Sequence, residues 1–190
     1  MPNGNTLILA WERISVEDFI AKGRDLKKIP VRGPGFNGKF QNDFWVDFVR
    51  EVNPAGETVW EWHVWDHLVQ DYDPNQANYG LVADHPQLIN LNDRGTGARP
   101  GSADWNHINA IDYNAEFDQI LLSVHNFSEI WVIDHATSTG EAAGPAGDLL
   151  YRWGNPAAYD AGDATDRQLF VQHDAEWIAD GLPGAGNILI

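Results

Sequence analysis

The chain has 190 residues, enough for a domain with its own core, and 43% hydrophobic with 12% aromatic content excludes a disordered polymer. Its 28 acidic against 12 basic residues give a formal charge of −16, which repels phosphate backbones and anionic bilayers and argues against nucleic acid as a partner. With no cysteine there is neither a disulfide framework nor a thiolate metal site, and no apolar run approaches the roughly 20 residues of a membrane helix, so no membrane insertion is expected.

Pro2-Asn3-Gly4-Asn5 reads as a tight turn, because Asn-Gly tolerates positive φ, and it feeds a predicted strand over residues 6–11. Residues 12–43 are rich in charge, Gly and Pro and read as an insertion, with a cap-like start for one short helix at Ser15-Val16-Glu17-Asp18-Phe19-Ile20. Alternation over 44–52, a turn at Asn53-Pro54-Ala55-Gly56 and a second run over 57–65 predict a hairpin. From 66 to 101 Asp, Asn, Pro and Gly dominate; mostly loop is expected, with a helical turn at His85-Pro86-Gln87-Leu88. A loop that long in a compact domain is usually functional.

Next, Asp104-Trp105-Asn106-His107-Ile108-Asn109-Ala110-Ile111-Asp112-Tyr113 puts a histidine at the mouth of a strand and restarts the alternation. Further strands over 119–124, 129–134 and 148–153 follow at turn-like intervals and complete a four-stranded meander. After a Gly-, Ala- and Asp-rich loop, a strand is expected over 170–179, then a turn and a last strand over 187–190.

Three turn-plus-strand pieces look alike, beginning at Pro2, Asn114 and Leu182. The last two follow a histidine whose strand also carries an aromatic residue, His107 with Tyr113 and His173 with Trp177. Repeats of about 40 to 50 residues with four short strands describe the blades of a β-propeller, whose innermost strands line a channel. The expected fold is therefore all-β, and the chain reads as a fragment of about three partial blades, since a ring needs about four to close. In this register residues 1–68 are an incomplete blade carrying the insertion 12–43, 69–104 a long loop, 105–154 one full blade, 155–169 a loop and 170–190 the start of the next blade. A small β-sandwich with long loops is the alternative that short alternating strands equally suggest.

A lone histidine in a strand is more often structural than catalytic. His107 and His173 gain weight from their matching positions, which in a propeller point both toward the channel. His125, at the end of the next strand, falls near the same rim as an anion contact or a turn residue. His63 and His67 have the spacing of a helical metal pair, but in a strand residues four apart are about 13 Å from each other, so no metal site is expected there. His85 and His135 are expected in solvated loops. Ser123 lacks the Gly-x-Ser-x-Gly turn of an exposed nucleophile, and no Gly-rich phosphate loop precedes a helix. Most tryptophans are expected in packing; Trp105 and Trp177, beside the histidines, are the candidates to stack on an aromatic substrate.

Asp104-Trp105-Asn106-His107-Ile108-Asn109-Ala110-Ile111, then Gln119-Ile120-Leu121-Leu122-Ser123, Glu129-Ile130-Trp131-Val132-Ile133-Asp134, Tyr151-Arg152-Trp153-Gly154 and Gln172-His173-Asp174-Ala175, in that order, resemble the arylsulfotransferase family. The resemblance runs from Pro2 to Ile190. It implies a six-bladed propeller, periplasmic or secreted, that moves a sulfuryl group from a phenolic sulfate ester to another phenol without a nucleotide donor or any other cofactor. Its nucleophilic histidine falls on His173 and its sulfate-holding Trp-x-His-x-Asn motif on Trp105, His107 and Asn109. His125 stands where the family pattern has arginine, so the anion contact there depends on protonation. A further family histidine would precede Met1. The rival expectations are a propeller that binds a ligand or protein through its channel face without catalysis, and a hydrolase that passes the sulfuryl group to water.

Overall fold

The computed structural model describes residues 1–28, 43–93 and 103–190. The chain is mostly β-sheet with few helices. Strand β1 (Thr6–Ser15) pairs antiparallel with β2 (Asp43–Val52), and β2 with β3 (Thr58–His63). The β1–β2 ladder runs unbroken from Thr6↔Val52 to Ser15↔Asp43, so β1 extends four residues past the expected 6–11. Residues 12–15 find partners in 43–46, and that ladder outweighs their polar composition. The β2–β3 turn closes as its composition requires: Asn53 Oδ1 accepts the N–H groups of Ala55 and Glu57, and Gly56 takes φ 83°.

Helix α1 (Val16–Ala21) starts where the cap was legible, with Ser15 Oγ accepting the Asp18 N–H. It buries Phe19 against Phe44 and Trp105. The remainder of the insertion, 29–42, lies outside the described residues. The expected loop 69–104 contains a short parallel pair, β4 (Leu68–Val69) with β5 (Ile89–Asn90), and its helical turn forms at Val82–Asp84, just before the expected position. Residues 94–102 also lie outside the description.

The meander is present as one antiparallel sheet in the order β6 (Ile108–Asn114), β7 (Gln119–Val124), β8 (Glu129–Asp134), β9 (Tyr151–Trp153). The last strand is shorter than the expected 148–153, because a 3-10 turn at Pro145–Gly147 precedes it and Asp148 is held by His67 Nδ1 at 2.9 Å. A short helix α2 (Thr139–Ala142), closed by a Ser138/Glu141 capping box, fills the β8–β9 connection.

Strands β7 and β8 are covered on both faces, which is why they read as nearly continuous apolar runs. Ile120, Leu122, Val124, Trp131 and Ile133 join Val46, Val49, Trp60 and Trp62 of the first sheet in one core. Leu121, Ile130 and Val132 face the other way, onto Leu169, Ala175, Trp177 and Ile188. Burying each such side chain is worth about 1.5–3 kcal/mol, so the second sheet is anchored from both sides. Within it, the buried Glu129 carboxylate accepts from Arg152 Nε at 3.0 Å and from the Trp131 indole at 2.8 Å.

The expected strand over 170–179 reduces to β10 (Glu176–Trp177), paired with β11 (Ile188–Leu189). Val171 and Asp174 take φ 52° and 64°, left-handed values that a strand does not accommodate. His173 is therefore on a looped segment ahead of a strand. His135, expected to be solvated, is largely buried between Glu51 and Asp118, while His85 is half-buried.

Candidate functional site

The site is assembled from three segments at one end of the second sheet. The first is the approach to β6. Trp45 N–H donates to Ala103 O at 2.8 Å and Trp105 N–H to Trp45 O at 3.2 Å, which ties this approach to β2. The ladder turns Trp105 inward, where its indole donates to Asp93 O at 3.0 Å and its ring meets Phe19 and Phe127. Trp105 is 3% exposed, so it offers no face to a substrate, and its expected stacking role gives way to a core role. His107 follows with φ 53°. Its Nδ1–H donates to Asp104 Oδ2 at 2.5 Å, which leaves Nε2 directed away from that carboxylate.

His125, just past β7, is the second contribution. Its backbone N–H donates to His107 O at 3.1 Å, and Asn126 N–H to Asn106 O at 3.1 Å. Asn126 Nδ2 donates to the carbonyls of Asp104 and Trp105, so its Oδ1 is the acceptor for His125 Nδ1–H at 2.8 Å. His125, like His107, carries its proton on Nδ1 and keeps Nε2 free of this contact.

His173 comes from the looped segment before β10. Val171 N–H donates to Ser128 Oγ at 3.1 Å, Gln172 Nε2 to Glu129 O at 2.8 Å and Ser123 Oγ at 3.3 Å, and Asn109 Nδ2 to Gln172 O at 2.8 Å. Asn109 thus holds the segment that bears His173. Its amide nitrogen is occupied by backbone, a different task from the substrate contact expected of it. Trp177 packs into the Leu121, Ile130 and Val132 cluster and donates its N–H to Asp112 Oδ2 at 2.8 Å; no ring contact links it to the histidines.

The three imidazoles converge. Ring centroids are 4.9 Å apart for His107 and His125, 5.0 Å for His125 and His173, and 6.4 Å for His107 and His173, each pair edge to face. His173 is exposed and the other two partly so. No described residue hydrogen-bonds the His173 ring. Three positive-φ residues without the freedom of glycine, His107, Val171 and Asp174, lie in this small region. His107 and Val171 each store strain of order 1–3 kcal/mol, held by the hydrogen bonds above.

Two carboxyls beneath the trio had no role in the sequence reading. Asp104 orients His107; the only signal was its spacing of three residues from the histidine in a turn. Asp47, in the middle of β2, is 1% exposed. Burial, followed by the charge of Asp104, pushes its pKa up to about 8 against the pull of the Ile108 N–H. Elsewhere, His63 Nδ1 is bound to Glu12 at 3.0 Å and His67 is stacked on Trp62, so the pair with metal-like spacing is separately engaged. Among the described residues no group of three or more His, Asp or Glu is arranged to hold a metal ion.

An all-β scaffold that presents three converging imidazoles, one exposed and unbonded and two with oriented tautomers, defines a site suited to nucleophilic and anion-stabilising chemistry. The sequence model of the arylsulfotransferase (ASST) family matches residues 36–159, well over half of the chain, and the protein belongs to that family. No curated protein and no solved structure matches it. Family membership implies sulfotransferase-type chemistry on aryl sulfates and phenols and a typically extracytoplasmic setting. Among the described residues no helix is long and apolar enough to cross a membrane.

Proposed function

We propose that this chain forms part of a β-propeller, periplasmic or secreted, that transfers a sulfuryl group from a phenolic sulfate ester to a phenolic acceptor through a sulfohistidine on His173. The observation that carries the reading is the convergence of His107, His125 and His173 from three separate segments onto one accessible point. The sheet β6–β9 is the complete blade, and residues 170–190 begin the next, with the two-sided burial of β7 and β8 in support.

The chemistry follows from the ring environments. A neutral His173 nitrogen attacks sulfur in line; the N–S bond forms as the S–O bond to the aryl group breaks, and the electron pair leaves with the phenolate. Imidazolium forms of His107 and His125 offset charge on the sulfuryl oxygens, and a proton from one of them or from water neutralises the phenolate. The acceptor phenol, passing its proton to the imidazole that gave one up or to water, attacks the same sulfur; the N–S bond breaks and its electrons return to His173. The result is ping-pong kinetics with no nucleotide donor.

A channel-face binder without catalysis is the second reading, and one observation favours it: His125 stands where the family pattern has an always-charged arginine. The test is phenol release from an aryl sulfate, with and without a second phenol, for the complete gene product and its His173→Ala variant. Acceptor-dependent release that vanishes in the variant supports transfer. Release without acceptor identifies a hydrolase, and no release from a folded parent supports the binder.

A further inference from the structure

Trp105 and Trp177 are turned into packing, and the aromatic surface beside the histidine trio comes instead from β1 and β2. Trp11 and Trp45 are diagonal neighbours on that ladder, whose register sets Trp11 opposite Asp47 and Trp45 opposite Arg13. Their indoles stack, with centroids 5.2 Å apart and planes 22° from parallel. Trp45 is half-buried, whereas Trp11 is 53% exposed. One face of the Trp11 ring rests on Trp45, so its exposure belongs to the other face and the outer edge.

Its place beside the site follows from strand alternation. Leu7, Leu9 and Trp11 share one face of β1, and the first two pack into the core together with Ile111 and Tyr113 of β6. Trp11 comes next on that face, at the point where β6 begins. Asp47, directly opposite it, takes N–H groups from the Trp11 indole and from the backbone of His107 and Ile108, the first residue of β6. Two hydrogen bonds and one carboxyl put the indole nitrogen within roughly 9 Å of the His107 backbone. Trp45 is tied through its own backbone to Ala103 and Trp105, on the approach to the same histidine.

The two ends of an aryl sulfate find different matches here. Its ring gains from stacking on an open indole face beyond the apolar area it buries. Its sulfate is repelled by carboxylates such as Asp104 and is drawn to the imidazoles, which can carry positive charge. We propose that Trp11, backed by Trp45, is the platform on which the aromatic ring of the donor, and then of the acceptor, stacks while its sulfate or hydroxyl lies over the histidines. The proposal rests on reading the trio as the site of sulfuryl transfer between aryl substrates, and it adds a ligand-binding residue from a strand that takes no part in the chemistry.

The test is calorimetric binding of para-nitrophenyl sulfate to the complete gene product carrying His173→Ala, which holds the ester without turning it over. Adding Trp11→Ala is expected to weaken binding about tenfold, the order that loss of one stacked ring gives. Adding Trp11→Phe, which keeps a ring but lacks the indole N–H, should stay within about threefold of the His173→Ala parent. Inorganic sulfate has no ring and should not distinguish the three proteins. Where transfer is present, Trp11→Ala alone raises KM about tenfold with kcat little changed. Unchanged aryl sulfate binding in Trp11→Ala overturns the proposal. So does a Phe variant as weak as the Ala variant, which assigns the effect to the Asp47 hydrogen bond, or an equal loss for inorganic sulfate, which assigns it to the shape of the site. Binding that depends on Trp11 in a protein that transfers nothing keeps the platform and removes only the transfer, whereas a parent that binds no aryl sulfate removes the platform. If Trp11→Ala does not fold, the fluorine spectrum of fluorotryptophan-labelled parent decides: the Trp11 resonance, assigned by its loss in Trp11→Phe, should move with para-nitrophenyl sulfate and not with inorganic sulfate. An unmoved resonance overturns the proposal.

Discussion

The two ends of the second sheet use the same residue types to opposite effect. At one end His135 spends both ring nitrogens on carboxylates, Nδ1 on Asp118 at 2.7 Å and Nε2 on Glu51 at 3.0 Å. Both ring nitrogens thus face carboxylates, and the ring has no hydrogen-bonding capacity left over. Asn3, Asn5 and Tyr113 complete the network, and the cluster ties β1 and β2 to β6, β7 and β8. At the other end His107 and His125 each spend one nitrogen, and His173 none, on the described residues. The first arrangement is a clamp with its hydrogen-bonding capacity used up. The second leaves imidazole nitrogens available and supports them on strained backbone, the allocation expected where binding or catalysis is paid for with stability.

This contrast predicts that substitutions at the two ends separate activity from stability. The largest effect is expected for His173→Ala: turnover is lost, while unfolding shifts by no more than about 0.5 kcal/mol, because an exposed, unbonded side chain is removed. Denaturant titration beside the aryl-sulfate assay reads both. A His173→Ala protein that kept near-parental rates would break the assignment of the nucleophile.

His107→Ala is expected to be next, costing roughly 10²–10³-fold in kcat if its imidazolium acts like a single anion-hole donor. Rates within a few-fold of the parent would move His107 from the anion site to a purely structural place.

Glu51→Gln reverses the pattern. Glu51 is 4% exposed and accepts from Asn3, Asn5 and His135, so the substitution weakens a charge-assisted network at a cost of about 1–3 kcal/mol. Turnover per folded molecule is expected to stay at the parental value, since the clamp is separated from the histidine trio by the length of the sheet. A kinetic defect with unchanged stability would contradict the division of labour between the ends.

How much of this was legible depended on whether the determining interaction was local. The β6–β9 sheet and the β2–β3 hairpin were readable because alternation and turn residues encode them within a few positions, as with Asn53 and Gly56. The nearness of His107 and His173 was readable in outline, since they occupy matching places relative to a turn-plus-strand repeat. The segment 170–175 was not, because its left-handed residues are imposed by Ser123, Ser128 and Glu129, more than 40 positions earlier in the chain. Trp105 pointed the wrong way for a related reason: the backbone hydrogen bonds that tie Ala103 and Trp105 to Trp45, not its nearness to His107, set its facing. Asp47 carried no usable signal, because a carboxylate in an alternating strand reads as solvated until the approach to β6 is laid over it.

The smallest effect tests the clamp by pH. Burial pushes Glu51 up, but hydrogen bonds from Asn5, Asn3 and His135 prevail and hold it below its ordinary 4.5; Asp118 is likewise held below 3.8 by His135 and Tyr113 against its own burial. A carboxylate depressed in the folded state contributes stability that is fully present above its unfolded pKa and is lost as pH falls through its folded one. The clamp should therefore weaken as pH drops below about 4.5. Asp47 gives the opposite slope in a different window: its raised pKa makes the fold lose stability as pH climbs from 3.8 toward 8, after which the loss is complete. Urea midpoints measured across pH should show both arms. Glu51→Gln should flatten the acid arm and leave the upper one, and Asp118→Asn should do the same more weakly, because the Asp118 side chain is 42% exposed against 5% for Glu51. An acid arm that kept its parental slope in Glu51→Gln would place the acid sensitivity in some other carboxylate and leave the clamp a contact of shape alone.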